Sequence, residues 1–470
     1  MSRMGHNIKK YSSREALSAV LKILPHLSDN NIIRILSIAE KLSVNPAFKE
    51  RVVVIEDKIR QKHPTVEIVK RLNNSLSQTT KKKLITNLFS NAMFEGTRRR
   101  QEIFEKEGWR PPFFFVLSPT MRCNLSCTGC YAAQYTKKDV ITTEQIDSIF
   151  TQAKDLGIYF VTISGGEPFY RQDLLDIWEK HNDMFFLVYT NGTLIDEKMA
   201  EKLGRLGNVA PAISVEGFQE ETDKRRGPGV YEKICNAWKY LRENGVLFGF
   251  SATCTRYNAE TIYSDEFIDF MIEQGALFGW YFQYIPIGRK PDASLMASPE
   301  QRAWAREKLE YIRNTRPIIL ADFWNDGPLA GGCIAGGRVY FHINSHGDIE
   351  PCVFTHFTKD NIKDKTIKDA LQSDLFKAIQ KRQPYSKNLM CPCMIIDNPT
   401  ILREIIAETG AKPSYPGAES IITESAQFLD EYSKKIHQIW DPVWKEKYKE
   451  GKVLKGIDSE VAAKIFDQKE

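Results

Sequence analysis

The sequence predicts an α/β protein, a partial (β/α)6 TIM-like barrel with helical extensions at both ends of the chain. A small hairpin domain is predicted to follow the barrel in the sequence. Short apolar runs rich in aromatic and β-branched residues alternate with amphipathic helical stretches between residues 113 and 288. Such alternation is typical of parallel strands joined by right-handed crossovers. The candidate strands are residues 113–117, 159–164, 185–190, 209–215, 248–253 and 279–285.

The length and the helical periodicity outside this region divide the chain into four predicted units. A chain of 470 residues is too long for one hydrophobic core. We predict a helical N-terminal domain at residues 1–110, the barrel at 111–320, a hairpin-bearing domain at 321–398 and a helical C-terminal extension at 399–470. Apolar residues at helical spacing predict the two extensions.

Charge and cysteine content exclude several classes of protein. A net charge of +5 is small for this length and gives no support for nucleic acid as a partner. The basic runs at residues 81–83 and 98–100 are interpreted as solvated helix faces, with peripheral membrane contact as the alternative. No stretch approaches the roughly 20 apolar residues of a membrane span, and the N-terminus lacks the apolar segment of a signal peptide. Nine cysteines, an odd number, do not suit a disulfide scaffold, so a cytoplasmic protein is expected.

Three cysteines, Cys123, Cys127 and Cys130, follow the first predicted strand. Their spacing lets one short loop direct three thiolates to a common centre. An iron–sulfur cube normally takes four thiolates, so a loop that offers three leaves one iron open for another ligand. A zinc knuckle is the alternative, because thiolates also suit zinc. It needs a fourth ligand close by, and no Cys or His lies between Cys130 and His181.

Glycine-rich and polar motifs follow the next three predicted strands. Residues 163–168 are Ile-Ser-Gly-Gly-Glu-Pro, residues 190–193 are Thr-Asn-Gly-Thr and residues 214–217 are Ser-Val-Glu-Gly. With the cysteine loop they resemble, in the same order, the motifs of the radical S-adenosylmethionine (radical SAM) superfamily, over about residues 113–289. The resemblance implies a [4Fe-4S] cluster with an open iron site, held by the three-cysteine loop, and S-adenosyl-L-methionine bound at that iron.

The resemblance also implies which residues bind S-adenosylmethionine. Glu167 is expected to accept from the ammonium group, Arg226 to clamp the carboxylate, Glu216 to bind the ribose and Tyr131 to cover the adenine. Structural alternatives stay open: turns for the Gly and Asn residues, a packed aromatic for Tyr131, and a solvated basic loop for Arg226 and its neighbour Arg225. The complete expected set is Tyr131, Gly165, Gly166, Glu167, Asn191, Ser214, Glu216 and Arg226.

A second group of cysteines follows the predicted barrel in the sequence. Cys333, the run Gly347-x4-Cys352 and Cys391-Pro392-Cys393 resemble the start of the SPASM extension, an auxiliary iron–sulfur domain of many radical SAM enzymes. A complete SPASM module has cysteines for two clusters, whereas this chain has four here, so one auxiliary cluster is expected. The expected ligands are Cys333, Cys352 and Cys393, with Cys391 as the fourth or as a bystander. A structural zinc site is the alternative.

The resemblance implies reductive cleavage of S-adenosylmethionine and hydrogen abstraction from an unactivated C–H bond, with electrons from an external donor such as flavodoxin or ferredoxin. A small-molecule or lipid substrate is preferred, because a truncated SPASM domain leaves the site less enclosed. A peptide or protein maturase is the alternative. A non-catalytic iron–sulfur redox protein and a zinc-stabilised binding module are alternatives of other classes.

The loop before Cys333 supplies the candidate catalytic base. Asp322, Trp324 and Asp326 are expected to line the substrate cavity, and Asp326 is the candidate base. An Asp that forms the turn before Gly327-Pro328 is the alternative.

Overall fold

The computed structural model describes residues 59–138 and 140–447. The helices predicted before residue 59 lie outside the described residues. From residue 59 onward the segment before the barrel is helical, as predicted. It contains α1 (Thr65–Ser75), α2 (Gln78–Lys83), a π-helical stretch (Leu84–Glu95) and α3 (Gly96–Glu107).

Seven parallel strands form the barrel sheet, one more than the sequence predicts. The six predicted strands are present, with ends shifted by at most two residues, and each strand pairs with the next in chain order. The seventh, β7, is a run of four residues at one edge. The strands are β1 (Phe114–Leu117), β2 (Phe160–Ile163), β3 (Phe185–Thr190), β4 (Val209–Ser214), β5 (Gly249–Cys254), β6 (Phe278–Gln283) and β7 (Ile319–Asp322).

Amphipathic helices connect these strands and cover the outside of the sheet. The first begins at a capping box, in which the Gln145 amide donates to Thr142 Oγ1 at 3.2 Å and Gln145 Oε1 accepts from the Thr142 amide at 2.9 Å. The helices are α4 (Thr143–Asp155), α5 (Asp173–Lys180), α6 (Glu197–Leu206), α7 (Gln219–Arg226), α8 (Val230–Glu243), α9 (Ala259–Ile262), α10 (Asp265–Glu273), α11 (Pro299–Thr315) and α12 (Gly327–Ala330).

The hairpin predicted after the barrel is present, and its strands extend the barrel sheet. Its strands β8 (His342–Ile343) and β9 (Asp348–Glu350) are antiparallel, and β11 (Asp360–Asn361) pairs with β9. Strand β8 runs parallel to β1, with Val116 opposite His342. The second cysteine region is therefore joined by backbone hydrogen bonds to the strand that precedes the first cysteine loop.

Helices also follow the hairpin. Strand β10 (Phe357–Thr358) pairs with β12 (Lys412–Pro413) in a two-stranded sheet. The helices of this part are α13 (Ile367–Leu371), α14 (Asp374–Arg382), α15 (Pro399–Thr409) and α16 (Ala426–Lys447). Trp440 and Trp444 of α16 are buried in one apolar cluster with residues after β6, so α16 packs against the end of the barrel. None of the helices in the described part of the chain combines the length and hydropathy that a membrane span requires.

A buried ion pair connects α11 to the segment after the last cysteine. Arg302 Nη1 donates to Asp397 Oδ1 at 2.6 Å, and both side chains are fully buried. Asp397 Oδ2 also accepts from the Cys393 amide at 3.0 Å. Removal of one member of such a pair leaves an uncompensated buried charge.

We therefore expect Asp397→Ala to lower the free energy of unfolding by about 3–5 kcal/mol, measured by urea unfolding. Glu201→Ala is the matched control, because Glu201 forms an exposed ion pair with Arg205 within α6, and such pairs contribute little. An equal, small effect of both substitutions would contradict a stabilising role for the buried pair.

Candidate functional site

A cavity of about 380 Å³ lies at the carboxyl ends of the barrel strands and is lined by both groups of cysteines. Its size is within the usual range for small-molecule sites, roughly 300–1,000 Å³. Cys123, Cys127 and Cys130 line one part of it. We refer to them as the first triad. The second triad, which lines another part, consists of Cys333, Cys352 and Cys393.

The Gly165-Gly166 motif holds the loop of the first triad by its backbone. The Gly166 amide donates to the Thr120 carbonyl at 2.8 Å, and the Glu167 amide donates to the Arg122 carbonyl at 2.8 Å. A Cβ on Gly166 would overlap the Arg122 carbonyl, and Gly165 has a φ of +112° that L side chains rarely adopt. Both glycines also line the cavity. Their close approach to the cysteine loop, which the sequence did not indicate, explains why no larger residue fits there.

The first triad has the chemistry that an iron–sulfur cluster needs. Burial raises the pKa of the Cys123 and Cys130 thiols, and the neighbouring thiols of the triad raise it further. Arg225 and Arg289 act in the opposite direction on Cys130. Thiolates crowded together in this way require a cation, and iron supplies that charge when a cluster is bound. The donor set therefore fits a cluster.

Glu167 is buried and is not among the residues that line the cavity. Its Oε1 accepts from Thr190 Oγ1 at 2.8 Å and from the Phe169 amide at 3.1 Å, and its Oε2 accepts from the Asn191 amide at 2.8 Å. Burial raises the pKa of this carboxyl group to about 7. Glu167 thus ties the end of β2 to the end of β3, and the predicted ammonium contact remains a prediction.

Glu216 orients two arginines that line the cavity. Its Oε1 accepts from Arg225 Nη1 at 2.5 Å and from Arg226 Nε at 3.0 Å. The Glu216 carboxylate is buried, and its Oε2 has no hydrogen-bond partner. Arg225 and Arg226 are therefore fixed, partly buried side chains, not a solvated basic loop. Both are placed to receive an anionic group.

The remaining predicted residues that line the cavity are Tyr131, Asn191 and Ser214. Tyr131 pairs its hydroxyl with Ser164 Oγ at 2.7 Å, and burial raises its pKa to about 12. Asn191 Nδ2 donates toward Cys123 Sγ at 3.8 Å. Ser214 Oγ lies 3.1 Å from Ser251 Oγ, a lining residue at β5 that the sequence analysis missed because no motif marks it.

In the second triad, Cys352 is buried, whereas Cys333 and Cys393 are half-buried at the cavity wall. Burial, and then the neighbouring Cys352, raises the pKa of Cys333 to about 12. Burial also raises the pKa of Cys393, and Asp397 and Cys333 raise it further. The Tyr340 hydroxyl lies 3.0 Å from Cys352 Sγ, where it can donate a hydrogen bond to a thiolate. The three thiols fit an auxiliary iron–sulfur cluster, because thiolates crowded together require a cation and iron supplies that charge.

Cys391 is separated from the second triad. It is fully buried, does not line the cavity and lies beside His437 and Asp441 of α16. Burial raises the pKa of its thiol, Asp397 and Asp441 raise it further, and Arg302 acts in the opposite direction. The structure therefore favours the prediction that Cys391 is a bystander of the auxiliary cluster.

Of the three loop residues expected at the substrate cavity, Trp324 alone lines it. Asp326 forms a bidentate ion pair with Arg313 at 2.6 and 2.7 Å and accepts from the Asp322 amide. Asp322 is buried and accepts from the Tyr263 hydroxyl at 2.7 Å. These contacts correspond to the turn-forming alternative for Asp326, because both its oxygens are already paired.

Comparisons with known proteins agree with this arrangement. The Radical SAM superfamily model matches residues 117–262, and the SPASM iron–sulfur cluster-binding domain model matches residues 333–394. A radical SAM domain implies a [4Fe-4S] cluster and S-adenosylmethionine, and a SPASM domain implies auxiliary iron–sulfur binding.

Several curated proteins are similar to the chain. Fe-coproporphyrin III synthase of Methanosarcina barkeri is 32% identical over 31% of this chain and only 38% of that protein. PqqA peptide cyclase of Rhizobium meliloti is 27% identical over 52% of this chain and 68% of that protein. Mycofactocin maturase of Mycolicibacterium smegmatis is 29% identical over 63% of this chain and 78% of that protein.

Among solved structures, Streptococcus suis SuiB bound to S-adenosylmethionine superposes with a TM-score of 0.53 and 23% identity. The match covers 63% of this chain and 74% of SuiB. At this identity the match establishes the shared fold.

The contact between Gly166 and the cysteine loop generates a prediction. Gly166→Ala should displace the loop of the first triad, because its Cβ would overlap the Arg122 carbonyl. We expect loss of iron from the first site and retention of iron at the second, measured by iron content and electron paramagnetic resonance after anaerobic reconstitution. Gly410→Ala is the control, since Gly410 has a φ of +63° but nothing near its Cβ position. Full iron content in Gly166→Ala would refute the proposed constraint.

Proposed function

We propose that this radical SAM enzyme with a SPASM iron–sulfur domain modifies a peptide or protein. The observation that carries the proposal is that one cavity is lined by both cysteine triads, which brings a site for radical formation and a site for electron transfer to one substrate. Support for a peptide comes from the relatives, since one is named a peptide cyclase and another a maturase. They support the peptide alternative better than the small-molecule or lipid substrate that the sequence analysis preferred.

Aromatic side chains line the cavity near the second triad. Phe282 stacks on Phe323 with ring centroids 5.0 Å apart, and Trp324 lies against Phe354 at 5.8 Å. All four line the cavity. Such a surface excludes water and packs well against an apolar or aromatic side chain. This part of the cavity is the proposed place for the side chain of the substrate that is modified.

At the first triad, the chain's own residues orient the cofactors. With the cluster and S-adenosylmethionine bound, reductive cleavage supplies a 5′-deoxyadenosyl radical, and the protein positions the reactants. Arg226, held by Glu216, is the proposed partner of the methionine carboxylate. Ser214 is the proposed ribose contact and Tyr131 the adenine contact. Glu167 keeps the ends of β2 and β3 together, which fixes the position of Asn191 beside Cys123.

The second triad is the proposed acceptor of an electron after hydrogen abstraction. A hydrogen bond from Tyr340 to the Cys352 sulfur favours the reduced state of an iron–sulfur group, because it stabilises negative charge on the sulfur. This suits a site that accepts electrons from a substrate radical. An external donor such as flavodoxin or ferredoxin, and a cytoplasmic location, remain part of the proposal.

A small-molecule substrate is the second candidate. It is favoured by the similarity to Fe-coproporphyrin III synthase, although the match covers 38% of that protein. The deuterium-transfer experiment described at the end of this subsection separates the two candidates.

The two triads should differ in their effect on catalysis. Cys127→Ala is expected to abolish 5′-deoxyadenosine formation, whereas Cys352→Ala should retain cleavage of S-adenosylmethionine without modification of the substrate. Both products are measured by anaerobic turnover and mass spectrometry. Cys235→Ala, at a half-buried cysteine within α8, is the control and should behave as wild type. Equal cleavage by Cys127→Ala would refute the first assignment, and loss of cleavage in Cys352→Ala would indicate a structural role for the second triad.

The substrate class is tested with an extract from cells of the source organism grown on deuterated medium. The extract is divided into a peptide and protein fraction and a solvent-extracted fraction of small molecules and lipids. We expect deuterium to enter 5′-deoxyadenosine from the first fraction and this transfer to be lost after protease digestion. Transfer from the second fraction, insensitive to protease, would refute a peptide substrate while leaving radical chemistry intact.

A further inference from the structure

Cys391 lies in a group of side chains outside the active-site cavity. One ligand atom from each of Cys391, His437 and Asp441 lies within 4.8 Å of the others. Cys391 belongs to the turn that carries Cys393, whereas His437 and Asp441 belong to α16. The three residues therefore connect the last cysteine of the second triad to the C-terminal helix.

The hydrogen bonds of His437 point to a cation between these groups. His437 Nε2 lies 3.2 Å from the Asp397 carbonyl oxygen, which can only accept, so Nε2 carries a proton. In the neutral ring Nδ1 then has a lone pair, and this lone pair faces Asp441 Oδ1 at 3.0 Å. A lone pair and a carboxylate repel each other unless a proton or a metal ion lies between them. Two ligand atoms on one tetrahedral zinc ion, with bonds of about 2 Å, have a similar separation.

Neighbouring groups hold these side chains as outer-shell partners hold metal ligands. The backbone carbonyl of Asp397 fixes the tautomer of His437, and Asn388 Nδ2 donates to Asp441 Oδ1 at 2.7 Å. His437 and Asp441 are four residues apart and lie on one face of α16. The Cys391 sulfur completes the set from the turn before Cys393 and is buried.

We propose that Cys391, His437 and Asp441 bind a single zinc ion. One sulfur, one imidazole nitrogen and one carboxylate oxygen are all common zinc ligands, and a water molecule completes a tetrahedral site. A divalent ion would compensate the thiolate and the carboxylate in this partly buried position. Zinc would thereby join α16 to the Cys391-Pro392-Cys393 turn. The site is separate from both iron–sulfur sites and has a stabilising role.

The test uses the full-length enzyme with both iron–sulfur sites reconstituted anaerobically, then equilibrated with zinc sulfate and dialysed. We expect one bound zinc per chain, with an X-ray absorption spectrum that indicates a single sulfur ligand. His437→Gln and Asp441→Asn should lose the zinc and keep the iron of the wild type, which also shows that they fold. Asn388→Ala should weaken zinc binding about 10–100-fold, as expected for an outer-shell partner.

Cys235→Ser is the matched control and should retain zinc, because Cys235 is a free cysteine outside this group. Cys391→Ser should lose zinc and retain iron. Loss of iron in Cys391→Ser would overturn the proposal by placing Cys391 among the ligands of the auxiliary cluster. Zinc content unchanged by His437→Gln and Asp441→Asn, or zinc bound by three sulfurs, would also overturn it.

Discussion

The contact between two glycines and one loop determines where the chemistry of this protein takes place. Gly165 and Gly166 follow the end of β2. Their backbone lies so close to Thr120 and Arg122 that a side chain at either position would have no room. This contact fixes the first triad at the carboxyl edge of the sheet, where the other motif residues also converge. Because β8 pairs with β1, the same sheet carries the hairpin that leads to Cys352. One backbone framework thus positions both triads at one cavity.

Local sequence patterns predicted much of this framework. The six strands and the helices between them were predicted because apolar runs and turn residues are local signals. The hairpin was predicted from two strand-like runs, residues 338–344 and 348–353, joined across Ser345-His346-Gly347. Strand β7 was missed, because Ile319–Asp322 is short and lies at the sheet edge. The pairing of β8 with β1 was also missed, since residues more than 200 positions apart leave no local signal of their contact.

Within the site, the residue types were predictable and their partners were not. The six thiols at the cavity follow from cysteine spacing and the family resemblance. The S-adenosylmethionine contacts expected of Glu167 and Glu216 remain predictions, and the structure adds protein contacts that the sequence did not indicate: Glu167 accepts from backbone amides and Glu216 from two arginines. A carboxylate in a motif can bind a ligand or position the groups that do, and the sequence alone does not distinguish these roles. The same holds for Asp326, whose ion pair with Arg313 is not visible in the sequence.

The central claim is that the first triad leaves one iron of its cluster free to bind S-adenosylmethionine. The most direct test is electron–nuclear double resonance on the reduced Cys352→Ala enzyme, in which the first cluster gives the signal, with S-adenosylmethionine labelled with nitrogen-15 in its amino group. A hyperfine coupling between the label and the cluster is the predicted result. Absence of this coupling, together with a coupling to a nucleus of a fourth protein ligand, would contradict the account.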